Sequence, residues 1–140
     1  MGGYRMIGLV VTGHGQFAPG LASAITMVAG EQPAFAAVSF EESRAASYPE
    51  MLRSAIQQLR DTCGEVLVLV DFLGGSPFNQ AVMATIDIDG VEVVTGANIP
   101  MLLDALNHRT DANLIELAER AVRVGRDGIA FKQLGTSSEA

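Results

Sequence analysis

One cysteine, Cys63, stands alone among 140 residues, and tryptophan is absent. A lone cysteine excludes an internal disulfide and any zinc site built on paired cysteines. Lysine is as scarce. Lys132 is the single example, so a mechanism that needs a catalytic lysine has one candidate, near the end of the sequence. Basic residues number 9 against 16 acidic ones, a formal net charge of -7. Binding a nucleic-acid backbone or an anionic membrane surface calls for the opposite balance. A long apolar run is missing too. Residues 6–30 carry no Asp, Glu, Lys or Arg, but Thr12-Gly13-His14-Gly15-Gln16 and Pro19 interrupt them. The apolar stretch Met6 to Val11 is too short for a membrane span or a secretory core, so the expected location is the cytoplasm. With no repeat, linker or low-complexity block, residues 1–134 read as one domain and 135–140 as a polar tail. That length buries a core without disulfide or metal staples.

What is present is an alternation of strand and helix. Met6 to Val11, Phe35 to Phe40, Glu65 to Val70 and Val91 to Thr95 are short apolar or β-branched runs, the signature of strands buried on both faces. Between them lie helical segments. Ala18 to Ala29 has Pro19 in its first turn and Gly30 as a stop. Ser47-Tyr48-Pro49-Glu50 has the form of a capping box, followed by Leu52, Ala55, Ile56 and Leu59 on one face. Ser76 before Pro77 predicts an N-cap and a helix to about Ile86, with Phe78, Val82 and Ile86. Asn98-Ile99-Pro100 leads into Met101 to Leu106. Asp111 is read as the cap of a longer helix carrying Leu114, Leu117, Ala118, Ala121 and Val122, stopped near Gly125. Ile129 to Leu134 reads as a last edge strand, polar at Lys132 and Gln133. The implied fold is α/β, a doubly wound, mostly parallel sheet of order 2-1-3-4 with helices on both faces.

In such a sheet ligands bind beyond the carboxyl ends of the strands, where the winding reverses. The loops flanking that point hold His14 and Asp71. A neutral imidazole nitrogen is a nucleophile, and a carboxylate on the other nitrogen fixes the tautomer and stabilises developing charge. Helix starts near Ala18 and Ser76 would aim backbone N–H groups into the same crevice. The pattern suits a phosphoryl group on His14, cradled by the amides of Gly74, Gly75 and Ser76 and by the Ser76 hydroxyl. No metal or cofactor is called for.

Rival readings exist. Gly13-x-Gly15-x-x-Ala18 after a strand fits a dinucleotide fingerprint, with Glu41 and Glu42 where ribose would bind. Against it, the chain supplies little more than one mononucleotide half. Gly74-Gly75-Ser76-Pro77-Phe78 is a poor nucleophile elbow, because Pro77 has no N–H for an oxyanion hole. There is no P-loop motif. A metal site from His14, Asp71 and His108 needs His108 to leave its helix surface.

Thr12-Gly13-His14-Gly15, Gly30-Glu31-Gln32, Asp71 with Gly74-Gly75-Ser76-Pro77-Phe78-Asn79, and Asn98-Ile99-Pro100-Met101-Leu102 together resemble the enzyme IIA component of the mannose-type bacterial sugar phosphotransferase system. The resemblance runs from about Met6 to Leu134. It implies a phosphocarrier: the histidine matching His14 accepts a phosphoryl group from HPr and passes it to enzyme IIB, serving the membrane components IIC and IID. It also implies a hydrogen bond from the match of Asp71 to that histidine, a phosphoryl-holding role for the Gly75-Ser76 match, and a homodimer that exchanges its last strand. Phe72-Leu73 stands where mannose members carry Trp, which leaves the sugar open among mannose, fructose, sorbose and N-acetylgalactosamine. The sequence ends at Ala140 without an Ala/Pro-rich linker, so a free-standing IIA subunit is expected. A phosphoryl donor subunit of a dihydroxyacetone kinase and a regulatory phosphohistidine protein are the related alternatives. Phe17, Phe72, Leu73, Ile99 and Met101 are the expected apolar rim that docks partners and excludes water.

Overall fold

The computed structural model describes residues 6–135. The expected tail beyond Gly135 lies outside the described residues. Four strands alternate with helices: β1 (Gly8–His14), α1 (Phe17–Ala29), β2 (Phe35–Phe40), α2 (Tyr48–Cys63), β3 (Val66–Val70), α3 (Gly75–Asp87), β4 (Val91–Thr95), α4 (Ile99–His108) and α5 (Leu114–Asp127). A 3-10 segment, Glu42–Ser47, leads into α2. The sheet order is β2-β1-β3-β4 and every pairing is parallel, as the alternation demands.

Side chains of a strand alternate between faces, and here the alternation sorts two cores. Leu9 and Val11 of β1 and Leu67 and Leu69 of β3 pack with Ile25, Leu102, Leu117 and Ala121 of α1, α4 and α5. Val10, Val66, Val68 and Val70 pack with Tyr48, Leu52 and Ile56 of α2 and Ala81, Ala84 and Ile88 at α3. All five β3 residues are inaccessible, which is why this strand reads as an unbroken apolar run. Each such side chain contributes about 1.5–3 kcal/mol of burial free energy.

Several helix ends differ from the sequence expectation. The Ser47 side chain does not cap α2; its Oγ donates to Arg44 O at 3.1 Å. Gly74, not Ser76, occupies the N-cap of α3. Helix α5 is capped by Asn113 rather than Asp111. Glu116 N donates to Asn113 Oδ1 at 2.8 Å and Asn113 N to Glu116 Oε1 at 3.1 Å, a reciprocal box. Gly125 does not stop α5; it lies inside the helix, where a Cβ would come within 2.6 Å of Met101 Cε. The buried face of α3 is Pro77, Ala81 and Ala84, and Ile86 points to solvent at 77% exposure.

Ile129 to Leu134 is the segment expected to be exchanged between subunits. This segment forms no strand in the single chain, and Ile129, Phe131 and Leu134 are exposed. Its pattern suits an edge, yet within one chain it makes no ladder with β4.

At the amino end of the sheet, Arg109 is 2% exposed. Its guanidinium donates to Ala34 O at 3.1 Å and Pro33 O at 2.7 Å, while Leu9 N donates to the same Ala34 carbonyl at 3.0 Å. Ala34 is held at φ 50, a left-handed conformation rare for a residue with a Cβ. Among the described residues no helix is long and apolar enough to cross a membrane.

Candidate active site

The parallel register brings the ends of β1 and β3 together. Thr12 lies opposite Val70, and Asp71 N donates to Thr12 O at 3.2 Å, carrying the ladder one residue past β3. Asp71 therefore emerges beside His14, the last residue of β1. Between them Gly13 has no room for a side chain: a Cβ there would lie 2.8 Å from Asp71 Cβ and 2.8 Å from a ring carbon of Phe17. The glycine is what lets the aspartate close on the histidine.

Asp71 Oδ2 accepts from His14 N at 2.9 Å and pairs with His14 Nδ1 at 2.7 Å, while Oδ1 accepts from Phe72 N at 2.9 Å. A carboxylate with these backbone donors is an acceptor only, so Nδ1 must supply the proton. The lone pair of the neutral ring then lies on Nε2. The aspartate side chain is 11% exposed and the histidine 43%, so the acid is sheltered and the imidazole reachable.

Nε2 faces the start of α3. A Cβ on Gly75 would sit 3.3 Å from Nε2 and 3.2 Å from Cε1. Gly74 and Gly75 hold φ of 104 and 83, so this turn needs glycine twice. The result is a backbone corner at a helix N-terminus, next to Nε2, with no side chain in between. The first-turn donors there are the amides of Gly75 and Ser76, since buried Pro77 has none. The Ser76 residue is exposed in that turn. No Lys or Arg lies in residues 12–17 or 71–76, so what these two loops offer a bound anion is amides, a hydroxyl and the helix dipole.

A second layer supports the imidazole. Thr12 Oγ1 donates to Val38 O at 2.8 Å, and the Tyr48 hydroxyl donates to Thr12 Oγ1 at 2.5 Å. Burial, with a smaller contribution from the charge of Asp71, pushes the Tyr48 phenol up to about 12. The Tyr48 ring meets Phe40 edge-on with centroids 5.0 Å apart, and Phe40 meets His14 edge-on at 5.7 Å. Phe72 lies against His14 at 5.3 Å and 36°.

Of the sequence-derived residues, His14, Asp71, Gly74, Gly75 and Ser76 converge at the ends of β1 and β3. The apolar set divides. Phe72 and Leu73 are exposed at 53% and 70%. Phe17 and Ile99 are partly buried against the core, and Met101, at 3%, is core and corrects its placement in a rim. The sequence reading named Gly13, Phe40 and Tyr48 but gave them no part in this site. Phe40 had a signal: the β1–β2 register sets it opposite His14.

The dinucleotide alternative would have to share its first glycine and its ribose-binding acid with contacts already made within the chain. The gap at Gly13 is filled by Asp71 and Phe17, and Glu41 accepts from Gln16 Nε2 at 2.9 Å. His108 is remote from this chemistry in its own cluster, 3.6 Å from both Asp104 and Asp111. Among the described residues no three His, Cys, Asp or Glu side chains converge to hold a metal ion.

Residues 8–122 match the family described as "PTS system fructose IIA component". The chain belongs to the mannose-type enzyme IIA family of the phosphotransferase system. It is 38% identical over 125 residues to the "PTS system mannose-specific EIIAB component" of Escherichia coli strain K12, covering 88% of this chain and 38% of that protein. The chain thus spans well under half the length of this relative. It is 31% identical over 113 residues to the "PTS system fructose-specific EIIA component" of Bacillus subtilis, covering 80% of this chain and 77% of that one. The fold superimposes on an EIIA component of the phosphotransferase system from Streptococcus agalactiae with a TM-score of 0.80 and 28% identity, over 90% of this chain and 97% of that one.

Proposed function

We propose that this IIA chain is a cytoplasmic phosphocarrier in bacterial sugar uptake. His14 Nε2 attacks the phosphorus carried by HPr. A new N–P bond forms, the donor's bond to phosphorus breaks, and the donor leaves with that electron pair. Enzyme IIB then takes the phosphoryl group from His14 by the same displacement, upstream of the membrane components IIC and IID. Asp71 stabilises the positive charge that develops on the ring as Nε2 attacks. The amides of Gly75 and Ser76, with the Gly74 turn and the Ser76 hydroxyl, receive the phosphoryl oxygens. Phe72 and Leu73 supply the exposed apolar contact for partners.

The observation that carries this reading is the double grip of Asp71 Oδ2 on the His14 amide and ring, which turns Nε2 toward an amide-lined corner. Relatives named for mannose and fructose favour a sugar relay over a dihydroxyacetone kinase donor. A homodimer fits the same chain. The outer edge of β4 borders a groove of about 490 Å³ lined by Leu73, Phe78, Val93, Met101 and Ile129, and the exposed Ile129-to-Leu134 segment has the residues to fill its equivalent in a second copy.

Incubation with radiolabelled phospho-HPr tests the reading. The parent protein gains an acid-labile label, and His14→Ala gains none while unfolding at the same denaturant concentration. Full labelling of His14→Ala would show that another residue is the acceptor.

A further inference from the structure

We propose that Phe72 is a positioning residue for the accepting nitrogen of His14. With Phe40 it fixes the plane of an imidazole that is otherwise held at one polar atom. The inference rests on the phosphocarrier reading.

The ring of His14 has one hydrogen-bonded side, Nδ1 on Asp71. Rotation about the bond joining a planar ring to its Cβ has broad, shallow wells, so a single hydrogen bond leaves the direction of Nε2 loosely set. Two aromatic rings restrict it. Phe40 stands edge-on at 5.7 Å and 89°, itself held by Tyr48, whose hydroxyl is tied to Thr12. Phe72 leans on the ring at 5.3 Å and 36°. The tip of Phe72 also reaches the corner where chemistry is expected: its Cζ lies 3.9 Å from the point where a Gly75 Cβ would stand, and His14 Nε2 lies 3.3 Å from that point.

The backbone of Phe72 is located by the same carboxylate. Its amide donates to Asp71 Oδ1 while Oδ2 holds the imidazole. Asp71 thus fixes both the histidine and the ring that leans on it. Phe72 is 53% exposed and belongs to neither core cluster, so packing of the fold does not account for its position. An exposed phenylalanine beside a transfer site could serve contact with a partner alone. The ring-to-ring geometry separates the two roles, because orientation of Nε2 matters for any donor, protein or not.

The experiment uses phosphoramidate, a small donor with no docking surface. Nε2 attacks its phosphorus, the P–N bond of the reagent breaks, and ammonia leaves after taking a proton from water. Labelling of His14 is followed in the parent, Phe72→Leu and Phe72→Tyr, alongside kcat and KM with phospho-HPr. Phe72→Leu keeps the apolar bulk that a partner touches and loses the ring; it is expected to slow phosphoramidate labelling about tenfold and to lower kcat with phospho-HPr by a similar factor, with a smaller change in KM, the scale of a modest misalignment. Phe72→Tyr restores the parent behaviour. An unchanged or faster phosphoramidate rate in Phe72→Leu, with only KM for phospho-HPr raised, would reduce Phe72 to a contact residue and overturn the proposal. A parent protein that takes no phosphoryl group on His14 from either donor would overturn the carrier reading, and the positioning role with it.

Discussion

The two ends of the parallel sheet use charge in opposite ways. At the amino end, Arg109 is sealed from water and its guanidinium is spent on the carbonyls of Pro33 and Ala34. At the carboxyl end, Asp71 also accepts from backbone, yet it keeps one oxygen directed at an imidazole that solvent and partners can reach. Both groups organise main chain. Only the second leaves a reactive atom exposed. A buried charge that ties backbone segments together is a fastener; the same device with one contact turned outward can become a site.

Breaking the fastener gives the largest expected effect on stability. Arg109→Met removes the donors to Pro33 O and Ala34 O, leaving Ala34 O with the Leu9 amide alone, and takes a hydrogen-bonded charge out of a buried position, so unfolding free energy should fall by about 3 kcal/mol. Transfer per folded molecule should stay unchanged. Denaturant titration with parallel labelling checks both, and a simultaneous loss of transfer would mean that the two ends are coupled. Breaking the opposite end should reverse the pattern. Asp71→Asn retains an acceptor for the His14 amide and removes the charge that fixes the tautomer, and should slow transfer about 100-fold, or roughly 2.7 kcal/mol of barrier. A slowing below about threefold would show that the hydrogen bond's geometry matters and its charge does not.

A smaller effect probes the layer behind the site. The Tyr48 phenol is raised from 10.0 to about 12 by burial in the folded chain. Above pH 10 the unfolded chain loses the Tyr48 proton and the folded chain keeps it. Stability is therefore fully present below pH 10 and is lost as pH rises through 12, by about 2.7 kcal/mol in total. Unfolding midpoints of the parent and of Tyr48→Phe across that window check the claim. The variant starts about 1 kcal/mol lower for want of the Thr12 contact. It should lack this part of the alkaline decline, and parallel slopes would remove Tyr48 as the titrating group.

The contrast between the two ends also marks what was readable in the sequence. The strands were readable because burial on both faces leaves unbroken runs such as Val66–Val70. The His14–Asp71 pair was readable because the site lies where β1 and β3 end, and their adjacency follows from the winding rule. Arg109 was not, since an arginine near a helix end looks the same whether it is solvated or sealed. The cap of α5 was read as Asp111, but Asn113 two residues on has Glu116 at capping-box spacing and takes the position. Ser76 lost the α3 cap because two left-handed glycines start the helix one turn corner earlier. Ile129 to Leu134 reads as a strand by composition, and composition does not say which chain supplies its neighbour.

One bond at the site reaches beyond stability and rate. The backbone N–H of His14 ends on the same oxygen that holds the ring. Its hydrogen–deuterium exchange is thus a built-in gauge of carboxylate docking, readable without any label on the imidazole.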